Sequence, residues 1–175
     1  MKIDFPYSTA WDTALPHAVK FMRPIYPIKT IVEIGCDYGF STMFFANHCR
    51  GSKVITVDNF CYKQEPDTKT VITGLIAKYH PRDIDLWEME SGDAAERYAH
   101  GCFDEIDVLH LDAGHAYEEV KRDYELWSPH VRKGGLILFH DVVIFSDDVG
   151  RFFHSLEGRK KLWDESPGLG AYYKE

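Results

Sequence analysis

Thr30-Ile-Val-Glu-Ile-Gly-Cys-Asp-Tyr-Gly-Phe-Ser-Thr42 is an apolar run that breaks into a glycine-bracketed turn and resumes as a helix. Ile31, Val32 and Ile34 carry the β-branched signature of an interior parallel strand, and Gly35 and Gly39 permit a tight turn and a close backbone approach. Ser41 or Thr42 is placed to cap the helix bearing Phe44, Phe45 and Ala46. The next strand, Lys53-Val-Ile-Thr-Val57, ends in Asp58, where a carboxylate can accept both hydroxyls of a ribose. Strand, loop, helix and distant acid together read as a nucleotide-cofactor site.

Beyond this unit, strand-like and helix-like segments alternate, which is the mark of a parallel sheet covered by helices on both faces. The spacing of Val71, Ile72, Leu75, Ile76 and Tyr79 predicts a helix capped by Asp67 and ended by Pro81. A short strand is expected over 84–89, a short helix over 93–99 and a clearer strand over 106–112. Val120, Tyr124, Trp127 and Val131 form an apolar stripe on a helix ended by Gly134-Gly135, and Leu136-Ile-Leu-Phe139 is a buried strand followed by His140-Asp141. Val149, Phe152, Phe153 and Leu156 mark a last helix closed by Gly158. Two final segments joined through Pro167-Gly-Leu-Gly170 read as an antiparallel hairpin. The fold class expected is therefore α/β: a doubly wound, mostly parallel, Rossmann-like sheet of seven strands.

At 175 residues the chain suits one domain with a real core. Apolar residues at 45% and aromatic residues at 14% exclude disorder, and a formal charge of -8 argues against nucleic acid or an anionic membrane as partner. A small-molecule partner is expected. Cys36, Cys49, Cys61 and Cys102 are scattered without a C-x-x-C pair, no basic start precedes an apolar stretch, and no apolar run approaches about 18 residues. These features predict a reducing, cytoplasmic setting and leave the oligomeric state open, a homo-oligomer included.

The loop departs from a dinucleotide site. A pyrophosphate-binding turn requires G-x-G-x-x-G, because its middle glycine lets the backbone touch the phosphates. Asp37 stands at that position, and Glu33 precedes Gly35 by two residues. Negative side chains there repel a phosphate and suit a cationic ligand, so a positively charged nucleoside such as S-adenosylmethionine is favoured over NAD.

On these residues the chain resembles the class I S-adenosylmethionine-dependent methyltransferases. Glu33-Ile-Gly-Cys-Asp-Tyr-Gly39 is similar to their first motif, Val57-Asp58 to their ribose-binding acid, and Ser91-Gly-Asp-Ala-Ala95 to the segment that reaches the adenine. The resemblance implies that Asp93 and the main chain at Ala94 lie along the adenine. It runs from Thr30 to the end, so 30–175 is expected to be one cofactor-binding methyltransferase domain. Residues 1–29, where Pro6, Pro16, Pro24 and Pro27 interrupt the aromatic residues, are expected to form an N-terminal leader or a lid, with room for one helix near 14–22. Leu111-Asp-Ala-Gly-His-Ala-Tyr117 and Lys133-Gly-Gly-Leu-Ile-Leu-Phe-His-Asp-Val142 resemble, within that class, small bacterial O-methyltransferases of the macrolide-sugar methyltransferase and cephalosporin-hydroxylase-like group. Many members of that group use a divalent metal. Cofactor contacts are accordingly expected from Glu33, Gly35, Cys36, Asp37, Gly39, Ser41, Asp58, Asn59, Asp93, Ala94 and Asp112.

Asp58, Asp112 and Asp141 all fall at strand ends, where an open parallel sheet binds its ligands. Two carboxylates crowded at neighbouring strands repel unless a cation or a proton intervenes. Magnesium is the economical cation, held by Asp112 and Asp141; if His140 also coordinates, manganese, iron or zinc suits the site equally, and if it does not, His140 is a second base or a structural donor. His115, three residues after Asp112, is the candidate general base, a role that a histidine at this spacing has in the resembling sugar methyltransferases; Asp112 shares the catalytic end. The reaction expected is O-methylation of a small sugar or hydroxylated metabolite. An NAD-linked oxidoreductase and a non-catalytic cofactor-binding homologue are the alternatives.

Overall fold

A computed structural model of the chain describes residues 27–61, 67–80 and 82–175, together with Ala18, Met22 and Ile25. The leader expected over 1–29 lies largely outside these residues; Ala18, Met22 and Ile25 are buried against the sheet.

Strands β1 (Thr30–Ile34), β2 (Lys53–Asp58), β3 (Ile84–Glu88), β4 (Ile106–Leu111), β5 (Val131–His140), β6 (Lys160–Trp163) and β7 (Leu169–Tyr173) form one sheet in the order β3-β2-β1-β4-β5-β7-β6. The first five run parallel, β7 runs antiparallel to both β5 and β6, and the terminal hairpin is present as expected. Helices α1 (Phe40–His48), α2 (Thr68–Tyr79), α3 (Ser91–His100), α4 (Tyr117–Trp127) and α5 (Arg151–Ser155) alternate with the strands.

Side chains along β1 alternate between two cores: Ile31 packs with Met43, Phe45 and Met22 on one face, Val32 and Ile34 with Trp87, Trp127 and Phe139 on the other. This two-sided burial accounts for the continuous apolar runs. It also carries polar residues inward. Thr56, Glu33 and His110 are register neighbours on β2, β1 and β4, and all three are fully buried.

Three local expectations are corrected. Gly39, not Ser41 or Thr42, occupies the N-cap of α1; Ser41 and Thr42 are buried inside its first turn, because the left-handed Gly39 at φ 85 already turns the chain into the helix. The helix carrying Val120, Tyr124 and Trp127 ends at Trp127 rather than at Gly134-Gly135, since Pro129 in the following 3-10 turn lacks the amide hydrogen a continuing helix needs. Val131 therefore opens β5. The last helix is shorter than its apolar spacing suggests: a π-turn spans Ser146–Gly150, and α5 stops before Leu156. Asp67 caps α2 as expected, its carboxylate accepting from Thr70 N at 2.9 Å.

Candidate active site

A cleft of about 760 Å³ opens above the carboxyl ends of β1 and β4, where the strand order reverses. Its floor is the loop between β1 and α1. Gly35 N donates to Val57 O at 2.8 Å, and Asp112 N donates to Ile34 O at 2.8 Å, so the ends of three strands are drawn together. A Cβ on Gly35 would stand 2.2 Å from the Asp112 carbonyl oxygen, and one on Gly39 2.6 Å from Ile72 Cγ1. Both glycines are thus demanded by close approach within the protein, and both have φ of 85. Asp37 also takes positive φ, at 45, a conformation that Asp tolerates better than most side chains.

Asp58 holds this loop from across the cleft. Its Oδ2 accepts from Cys36 N at 2.9 Å and Asp37 N at 3.2 Å, while Oδ1 accepts from Phe60 N at 2.8 Å. A carboxylate has about four acceptor positions, which leaves room for a ligand hydroxyl. Burial pushes the Asp37 carboxyl up; the Tyr38 main-chain amide opposes that shift, and nearby Asp58 and Asp112 reinforce it. Asn59 donates from Nδ2 to Glu90 Oε1 at 2.9 Å, closing the rim beside Asp58.

Of the expected cofactor residues, Gly35, Cys36, Asp37, Ser41, Asp58, Asn59 and Asp112 line the cleft, and Glu33, Gly39, Asp93 and Ala94 do not. Glu33 is 0% exposed and lies behind the loop, accepting from the hydroxyls of Thr42 and of Thr56 (2.8 Å) and meeting His110 Nδ1 at 3.2 Å. Strand alternation sends it to the α1 face, away from the opening. Asp93 is exposed on α3 and Ala94 is buried beneath it. Their place is taken by Met89, Glu90, Ser91 and Gly92 from the β3–α3 junction and by Arg122 and Asp123 from α4. Asp123 had a visible signal: it sits between Val120 and Trp127 on the buried stripe of an otherwise amphipathic helix.

At the other end of the cleft, Asp112, His115, His140 and Asp141 meet. His140 Nδ1 lies 2.8 Å from Asp112 Oδ1 and 2.9 Å from Asp141 Oδ1, and His115 Nε2 lies 2.8 Å from Asp141 Oδ2. Burial alone would pull His140 down, but the two carboxylates outweigh it and hold its pKa at about 9. Burial would likewise push Asp141 up, yet its pairs with His115 and His140 bring it to about 2. The Asp141 pair also raises His115. A proton on His140 therefore relieves the repulsion between the carboxylates. Asp141 itself has φ 62, again in the left-handed region that Asp enters more readily than most side chains. Phe145 stacks on His115 with ring centroids 4.4 Å apart, and both Phe145 and its neighbour Ile144 are exposed.

The expected metal set is rearranged. Donor atoms of Asp112, His115 and Asp141 lie within 4.8 Å of one another, whereas the Nδ1 of His140 is turned to the carboxylates. Two carboxylates and an imidazole at that separation fit a divalent cation, and the nitrogen favours manganese, iron or zinc over magnesium.

No described helix is long and apolar enough to cross a membrane. Comparison with known proteins gives 26% identity over 151 residues to the uncharacterized protein y4gI of Sinorhizobium fredii, covering 80% of this chain and 16% of that protein. The chain thus spans about a sixth of the length of that relative. Among solved structures, an O-methyltransferase from Bacillus cereus in complex with SAH superposes with a TM-score of 0.68 at 18% identity, covering 91% of this chain and 81% of that one. SAH-bound methyltransferase PaMTH1 of Podospora anserina gives a TM-score of 0.70 at 17% identity, over 98% and 83%. At these identities the likeness is one of fold. The family described as methyltransferase domain matches residues 32–142, from β1 through the His140-Asp141 corner. That match takes in more than half of the chain: the chain belongs to the methyltransferase domain family.

Proposed function

We propose that the protein methylates an oxygen of a small hydroxylated molecule, a sugar or a comparable metabolite. The observation carrying this reading is that one cleft joins the glycine loop to the Asp112, His115 and Asp141 cluster, so methyl donor and proton acceptor share an opening. S-Adenosylmethionine, when bound, supplies an electrophilic methyl group on a sulfonium. Asp58 keeps the loop in shape and offers its remaining acceptor position to a ribose hydroxyl; Asp37 presents negative charge to the cationic amino acid portion. The Asp141 carboxylate, 2.8 Å from His115 Nε2, pairs with that side of the ring and leaves Nδ1 to take the proton of the acceptor hydroxyl as the methyl group transfers. Phe145, stacked on His115, offers the acceptor an apolar face beside the base. The O-methyltransferase from Bacillus cereus, alike in fold, supports oxygen as the methyl-accepting atom.

A second reading is favoured by the convergence of donors. Asp112, His115 and Asp141 would hold a divalent cation, which lowers the pKa of a bound hydroxyl and orients it. His115 would then be a ligand and not the base.

The test is a screen of hydroxylated acceptors with S-adenosylmethionine, followed by mass spectrometry of the product. Methylation at oxygen is expected, and His115→Ala should lower turnover about 10²–10⁴-fold while leaving S-adenosylhomocysteine affinity unchanged. Transfer to carbon or nitrogen would overturn the reading; wild-type turnover in His115→Ala would remove the base.

A further inference from the structure

Asp123 is 8% exposed, yet it lines the cleft. Its Oδ1 accepts from the Ser91 hydroxyl at 2.6 Å, and Ser91 Oγ in turn accepts from Trp127 Nε1 at 3.0 Å. Because the indole can only donate, the serine proton must point to Asp123, and the direction of the chain is fixed. The other carboxylate oxygen, Oδ2, has no hydrogen-bond partner among the described residues. Burial pushes the Asp123 carboxyl up, and the Ser91 bond only partly offsets that. Oδ2 is open to the cleft rather than sealed off, so it is an acceptor available to a donor on whatever occupies that space.

The neighbours say what arrives. Asp58 is the register partner of Glu88, and Met89 N donates to Asp58 O at 3.1 Å, so the chain leaving β3 runs directly beyond the proposed ribose acid. The base of a nucleoside whose ribose sits at Asp58 must project along that chain, toward Ser91 and Asp123. An exocyclic amino group at its edge is a donor; an oxo group there would face the carboxylate with a second acceptor.

We propose that Asp123 is a cofactor-binding residue whose free carboxylate oxygen accepts a hydrogen bond from the 6-amino group of the adenine, with Ser91 and Trp127 as positioning residues. This rests on the reading of the cleft as the S-adenosylmethionine site. It assigns to α4 a recognition role that the motif at Asp93 would have placed on α3. A carboxylate built for a donor rejects the 6-oxo analogue, because binding would bury two facing acceptors.

Calorimetry with S-adenosylhomocysteine and S-inosylhomocysteine tests it. The wild-type protein should prefer the amino compound by about tenfold or more. Asp123→Asn keeps the shape and supplies an amide donor, so the preference should fall to near unity or invert. Ser91→Ala should narrow it through loss of the fixed carboxylate, and this variant carries the test if Asp123→Asn does not fold. A merely structural role would lower both affinities together and leave their ratio unchanged; an unchanged ratio in the folded variants overturns the assignment to Asp123 alone. Failure of the wild-type protein to bind either compound overturns the cofactor reading and this assignment with it.

Discussion

The two ends of the cleft are built from different materials. At the cofactor end the loop between β1 and α1 is held by main chain: Gly35 N to Val57 O, and the amides of Cys36 and Asp37 to one carboxylate. At the acceptor end main-chain bonds hold the corners, Asp112 N to Ile34 O and Phe145 N to Asp141 O, but the mutual geometry of the functional groups rests on side-chain pairs, two carboxylates and two imidazoles from β4, β5 and the loops that follow them. Main-chain bonds make the first end a property of the fold. The second end can hold either protons or a cation without any change in the sheet beneath it.

The largest effect that could break this contrast is at Gly35. An alanine there would place Cβ 2.2 Å from a carbonyl oxygen at a φ of 85, and neither backbone can give way without parting β1 from β4. Overpacking combined with backbone strain should cost more than about 4 kcal/mol, read as a collapse of the urea unfolding midpoint or of soluble yield. A wild-type midpoint would show that the strand ends are not locked. Next in size is Asp58→Ala, which strands three main-chain amides. It should cost about 2–3 kcal/mol of stability and weaken S-adenosylhomocysteine binding at least tenfold. Lost affinity at unchanged stability would mean that Asp58 serves the ribose without holding the loop.

The same contrast explains what could be read in advance. The loop, the succession of strands and helices and the terminal hairpin were legible because each depends on residues close in sequence: glycines at a turn, β-branched runs, alternation of elements. Asp93 and Ala94 illustrate how narrow that legibility is. The helix begins at Ser91, not at Asp93, and two residues at about 100° each turn a side chain to nearly the opposite face. The surroundings of Glu33 were illegible for a similar reason, since alternation along β1 decides which core its carboxylate enters, and only the position of α1 shows that this is the side of Thr42 and His110. His115 and His140 could be named but not distributed: which histidine nitrogen meets which carboxylate depends on how the β4 and β5 corners meet, a relation between residues some 28 positions apart.

The smallest expected effect decides between protons and a cation at the acceptor end. With His115 acting as the base, and with His140 already supplying positive charge between Asp112 and Asp141, added manganese or magnesium should raise Tm by less than about 1 °C. A cation bound by Asp112, His115 and Asp141 would do more: at about ten times its Kd it stabilises by about 1.4 kcal/mol, or roughly 3 °C for a chain of this size. Such a shift, larger with manganese than with magnesium and lost in both Asp141→Asn and His115→Ala, would make His115 a ligand and retire it as the base. The imidazole sets that order of metals, because its nitrogen adds affinity for manganese that an all-oxygen site would not. The titration should be run with and without S-adenosylhomocysteine, since the Asp112 carboxylate belongs to both ends of the cleft and a bound cofactor can complete the site.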